Sequence, residues 1–198
     1  MSSTFRKYPI EKKILPLVNA LNATKLVRTF SSCEGHYKGT DQKLTDRNFA
    51  DVRFDKLPNT KNEVVDELLR YVFGVFYHLD TQMCVDTYKK YVPTSILAKG
   101  QDCYVIIIEP FDRFAHPDQK RRDTDEAIKI LTVIVQEWTK IRRNKGTKNK
   151  YIQIPSSLLH YFPDKKARQL CDCENCKDAR SNRSQKKPPK KTPAKRKS

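Results

Sequence analysis

The chain has 198 residues, a formal net charge of +17 and 37% hydrophobic residues, which allows one ordinary domain plus an appendage. No apolar run approaches the ~18 residues of a bilayer span, and Met1–Tyr8 is short and polar, so neither a membrane protein nor a secretory leader is expected. Three of the six cysteines fall within six residues, which is unlike a secreted disulfide framework and points to an intracellular protein, cytoplasmic or, in a host with a nucleus, nuclear.

In chain order, Pro9 suits the first turn of a helix carrying Ile10, Ile14, Leu17, Val18 and Leu21, which Pro16 should kink or split. Leu26 to Phe30 reads as a strand running into Ser31-Ser32-Cys33-Glu34-Gly35-His36. Residues 38–47 are polar and loop-like, and the alternation of 51–55 suggests a short strand. Thr60 and Glu63 form a capping box ahead of an amphipathic helix with Val64, Val65, Leu68, Leu69, Val72, Phe73, Phe76 and Leu79 on its apolar face. Cys103 to Ile108 is an unbroken β-branched and aromatic run, as in a strand covered on both faces. A second long helix is expected from Asp123, with Glu126 in the capping-box position, an apolar face from Ile128 to Ile141 and a basic end at Lys140, Arg142 and Arg143. Arg121 and Arg122 before it, and Lys145, Lys148 and Lys150 after it, read as a solvated basic face or an extension of a basic surface. A last strand is expected at 151–154, with Ser156 or Ser157 capping a short helix.

Helices alternating with strands and no internal repeat imply an α/β fold, a compact sheet layered with helices, with strand order left open between parallel and mixed. The domain is expected over residues 1–170, with a cysteine cluster at 171–176 and a tail at 177–198. After Leu170 there is no large apolar side chain, so the tail is expected to be disordered. From Lys177 onward ten Lys and Arg oppose one acid, Asp178. Lys186, Lys187, Lys190, Lys191, Lys195, Arg196 and Lys197 are candidate phosphate contacts, with RNA ahead of DNA as partner. The same run would serve as a nuclear-import signal.

The segment Ser31-Ser32-Cys33-Glu34-Gly35-His36 stands at a strand end, where α/β folds place ligand sites. Small hydroxylic residues beside a glycine can turn backbone N–H groups onto an anion or cofactor carboxylate, which makes Ser31, Ser32 and Gly35 candidate cofactor-binding residues. Glu34 and His36 are candidate acid and base, and Cys33 a candidate nucleophile or metal ligand. The competing reading is a small buried cysteine followed by a glycine turn.

Leu17-Val18-Asn19-Ala20-Leu21-Asn22, with Thr29-Phe30-Ser31-Ser32-Cys33-Glu34-Gly35-His36, resembles the opening of the wybutosine-synthesis tRNA methyltransferase family, where a helix ending near an Asn leads into a strand and a Thr-Ser-Ser-Cys-Ser-Gly-Arg signature. Ile107-Ile108-Glu109-Pro110-Phe111 and the helix after it are similar to a later strand and helix of that family. The likeness implies that family's α/β fold and S-adenosylmethionine-dependent methylation of a tricyclic guanosine in tRNA. Glu34 replaces the signature's second Ser and His36 its Arg, which removes a permanent, bidentate charge from the side chains that would face a ligand.

Cys171, Cys173 and Cys176 have a C-x-C-x2-C spacing that can turn three thiolates onto one zinc ion. The fourth ligand could be His160, or Cys33 and His36 could join Cys173 and Cys176. Three functions follow as expectations: a nucleic-acid-associated, methyltransferase-like enzyme; a non-catalytic nucleic-acid-binding or regulatory module with a structural zinc site; or a protein-interaction factor whose tail meets an acidic partner.

Overall fold

The structure is a computed structural model that describes residues 10–37, 49–92, 101–112, 114–143, 154–164 and 177. The chain divides into two compact units, Met1–Pro155 and Ser156–Ser198. In the second, the described residues include a short 3-10 helix, Ser156–Tyr161, with Leu158 buried and the His160 ring against Tyr161. Among the described residues the first is an α/β unit with three helices, α1 (Leu15–Ala23), α2 (Asn62–Tyr77) and α3 (Pro117–Arg143). Its described strands are β1 (Val27–Cys33), β2 (Ala50–Lys56), β3 (Met83–Val92) and β4 (Gln101–Pro110).

The strands form one sheet in the order β1-β2-β4-β3, and every neighbouring pair is antiparallel. β2 and β3 are therefore parallel to each other with β4 between them, and α2 spans the jump as in a split β-α-β unit. The register puts Val52 opposite Ile106 and Phe54 opposite Tyr104, whose rings stack at 5.8 Å. α3 packs on α1 and α2 and lies over β4 and β3, while α1 contacts β1 and α2 contacts β3. The core lies between these helices and the sheet face carrying Val52, Phe54, Ile106 and Ile108, all fully buried. On the other face of β4, Cys103 and Val105 are 2% and 1% exposed, so the strand is shielded on both sides as its apolar run implies.

Helix boundaries differ from the sequence expectation in instructive ways. Pro16 occupies the first turn of α1, where its missing N–H costs no helical bond, so it starts the helix instead of kinking it. α2 begins one residue past the expected cap: Lys61 is the N-cap, without a side-chain cap bond, and Thr60 donates its N–H to the Leu57 carbonyl. α3 starts at Pro117, six residues before Asp123. The His116 carbonyl accepts from the N–H groups of Gln119 and Lys120, and its Nδ1 lies 3.3 Å from the Asp118 N–H, so the turn is capped from His116. Strand β3 carries no clear signal in the sequence, because Asp86, Lys89 and Lys90 break its apolar pattern, as charges do on an edge strand. Of the strand expected at 151–154, only Ile154 lies within the described residues, and it is not in a strand.

Candidate metal centre

The end of α1 fixes the start of β1. Asn22 donates from Nδ2 to Thr29 Oγ1 at 2.8 Å, and its Oδ1 accepts the Thr29 N–H at 2.9 Å. A bulge between Thr29 and Ser31 then shifts the register against β2 and leaves Phe30 53% exposed. Ser31 and Cys33 pair with Arg53 and Asp51, and Ser32 pairs with Val52. Alternation along the strand sends Ser31 and Cys33 to one face and Ser32 to the other, so the two serines do not share a surface.

Beyond Cys33 the chain turns at Gly35, whose φ is +81°. A Cβ there would meet the Tyr37 ring at 3.1 Å, so the turn needs glycine for both its backbone and its space. α3 holds this turn from the side. Arg121 donates to the carbonyls of Glu34 and Gly35, each at 2.7 Å, pairs with Asp125, and lies over the Tyr37 ring with its guanidinium carbon 5.6 Å from the centroid. Tyr37 is 5% exposed, and the Thr124 hydroxyl sits between the Tyr37 phenol oxygen at 3.0 Å and the Lys120 carbonyl at 2.7 Å. Burial pushes the Tyr37 phenol above its ordinary range, against the pull of the Thr124 hydrogen bond and the Arg121 charge. Arg121 is thus a mostly buried brace and not part of a solvated basic face.

The segment before α1 closes the site from the opposite side. Glu11 Oε2 accepts the Glu34 N–H at 2.7 Å, and its Oε1 lies 3.1 Å from His36 Nε2. The Lys13 N–H donates to Glu34 Oε2 at 2.9 Å, and Lys13 Nζ pairs with Asp125 at 2.7 Å. Ligand atoms of Glu11, Cys33 and His36 consequently lie within 4.8 Å of one another. Glu11 and Cys33 are half-buried and His36 is exposed, so an ion can reach the cluster from solvent.

Burial raises the Cys33 thiol above its ordinary range, more than the Gly35 N–H bonded to it lowers it. The carboxylates of Glu11, Asp51 and Glu34 add to the rise. Without a cation the group is a neutral thiol at neutral pH, which is the wrong form for a nucleophile. A divalent cation reverses that balance, because it favours the thiolate and neutralises the carboxylate field. A thiolate, an imidazole and a carboxylate are donors that zinc accepts together, with a fourth position left for water or another side chain.

Of the residues singled out in the sequence, the structure brings Cys33 and His36 together and turns Glu34 to the segment before α1, where its Oε2 accepts the Lys13 N–H and its own N–H donates to Glu11. His78 caps the end of α2 and is exposed. Cys171, Cys173, Cys176 and the basic residues from Lys186 to Lys197 lie outside the described residues. No local pattern marks Glu11, Tyr37 or Arg121 as a site residue. Glu11 and Arg121 are 22 and 88 positions from Cys33 in sequence, too far for any local spacing to couple them. Among the described residues no helix is long and apolar enough to cross a membrane. Neither protein-family models, curated proteins nor solved structures give a match to the chain.

Proposed function

We propose that this chain is a non-catalytic nucleic-acid-binding module whose motif loop is a zinc site formed by Glu11, Cys33 and His36. The convergence of those three donors within 4.8 Å is the observation that carries the reading. A further feature supports a structural over a catalytic role: burial raises the Cys33 thiol and so disfavours the nucleophilic thiolate. The nucleic-acid partner, RNA ahead of DNA, is read from the charge of the chain and from the run Lys186–Lys197, which would bind phosphates by counterion release.

The test is metal titration of the full chain with zinc and with cobalt(II), whose thiolate charge-transfer band reports a sulfur ligand. The expected result is tight binding that Cys33→Ser and Glu11→Gln weaken, together with salt-sensitive RNA binding. Metal retained by those variants but lost from Cys173→Ser would move the site to the cysteine cluster. Methyl transfer, which the family resemblance implies, predicts instead that S-adenosylmethionine raises the melting temperature; at 100 times its Kd a ligand adds about 2.7 kcal/mol. Such a rise, abolished by Glu34→Ala or His36→Ala, would overturn the non-catalytic reading.

A further inference from the structure

Helix α2 carries a stripe that the core does not use. Asp66, Arg70, Phe73 and Tyr77 follow one another at helical spacing, and all four are exposed, Phe73 by 43% and Tyr77 by 75%. The sequence pattern assigns Phe73 to the core face, but that face is filled by Val65, Leu68, Leu69, Val72, Val75 and Phe76. The Phe73 and Tyr77 rings instead stack on each other in solvent, 6.1 Å apart and 24° from parallel. Beside the stripe runs an open groove of about 240 Å³, bounded across from α2 by Thr87 and Lys89 of edge strand β3 and floored by Tyr104. Lys89 Nζ lies 5.9 Å from the Tyr104 ring centroid. Arg70 has no ion-pair partner among the described residues.

Singly exposed aromatics are ordinary on protein surfaces. Two stacked rings beside a groove with a cation on each wall are a different arrangement, because they offer a flat π-surface next to charges that attract phosphate. We propose that this groove takes an unstacked base of single-stranded RNA. The inference rests on the nucleic-acid reading above and locates its base-contacting surface. Phe73, which lines the groove, supplies the stacking face with Tyr77 stacked against it, and Arg70 and Lys89 meet the flanking phosphates. Asp66, one turn before Arg70, is an acceptor-only group. It matches a base edge presenting adjacent donors, as the N1–H and exocyclic amine of guanine do, and it repels the two carbonyls of uracil. The basic tail cannot make that distinction, since phosphate contacts carry no sequence information.

The experiment is fluorescence anisotropy of the full chain with a short uridine-tract RNA carrying one central guanosine, and with the same tract lacking it, each over a series of salt concentrations. The wild type should prefer the guanosine-bearing RNA by about tenfold. Phe73→Ala and Tyr77→Ala should each weaken binding by about tenfold with the salt slope unchanged. Arg70→Gln should lower that slope by about one, and Asp66→Asn should abolish the guanosine preference. All four positions are exposed, and an unchanged melting temperature confirms that each variant is folded. If the wild type binds RNA and the Phe73 and Tyr77 variants bind equally well, the groove is not the base site, while the nucleic-acid reading stands. If the wild type binds no RNA at any salt concentration, both fail. Loss of self-association in the aromatic variants, measured by sedimentation, would make this face a contact between copies and overturn the proposal.

Discussion

Arg121→Met tests whether α3 braces the motif loop. The wild-type guanidinium makes two charge-assisted bonds, to the carbonyls of Glu34 and Gly35, besides its pairing with Asp125. Bonds to a charged group are worth about 1.5–3 kcal/mol each, and the contact over Tyr37 adds about 0.5–1 kcal/mol. Against this, the methionine keeps the packing of the arginine stem, and Asp125 keeps Lys13 as a partner. A net loss of about 3 kcal/mol follows, which in a chain of this length lowers Tm by about 6–12 °C. Arg121→Lys keeps the charge and enough donors for the two carbonyls, but not the planar guanidinium that also lies over Tyr37, and should lose about half as much. The same loosening should cost about 10- to 100-fold in zinc affinity, the usual effect of removing a group that orients metal ligands. Denaturation followed by far-UV circular dichroism and a chelator-competed zinc titration measure the two effects. A loss below about 0.5 kcal/mol for Arg121→Met, the range of an ordinary surface change, would refute the brace.

Gly35→Ala forces a left-handed residue to carry a Cβ and pushes the Tyr37 ring, so it should cost about 2 kcal/mol in urea denaturation; part of this should return in a Gly35→Ala/Tyr37→Leu double variant. Asn22→Ala removes both bonds to Thr29 and should cost about 1 kcal/mol, whereas a neutral result would show that α1 does not fix the strand. Because burial keeps Cys33 protonated, zinc binding must release its proton, and affinity should climb about tenfold per unit as pH rises from about 6 to 8; a flat profile would exclude the thiolate as a ligand. Burial, with Glu137 nearby, pushes Tyr71 up to about 12. The folded state therefore holds this proton more tightly than the unfolded chain does, so its stabilisation is intact below the ordinary tyrosine range and lost as pH climbs from about 10 toward 12. Tyr71→Phe should flatten that part of the alkaline unfolding curve.

The parts of the fold that could be read from the sequence are those whose signal is local. The apolar stripe of α2 and the unbroken run of β4 announced themselves within a dozen residues, because each buries a continuous surface of its own. The antiparallel order could not be read, since β4 alone looks the same in a parallel sheet as in an antiparallel sheet shielded on both faces. The site divides in the same way. Cys33 and His36 are three residues apart and suggest a ligand pair, but the third donor, Glu11, reaches them only because α1 and β1 fold back on each other. Arg121 looked like surface charge because it neighbours Lys120 and Arg122; its burial follows from the early start of α3 at Pro117, which no periodicity in that polar stretch signalled.

The two bonds from Arg121 to the motif loop join residues 87 and 86 positions apart, which gives the centre a place in time as well as in space. During synthesis Glu11, Cys33 and His36 leave the ribosome early, yet the carbonyls between them stay unbraced until the first turns of α3 have emerged and docked. At about 5–20 residues per second, that interval lasts several seconds. In the meantime the three donors belong to a loose loop and compete for metal no better than any unfolded thiol and imidazole. A metal taken up by these donors would therefore enter late, and a nascent polypeptide cut short before Pro117 would carry the three donors without the frame that gathers them.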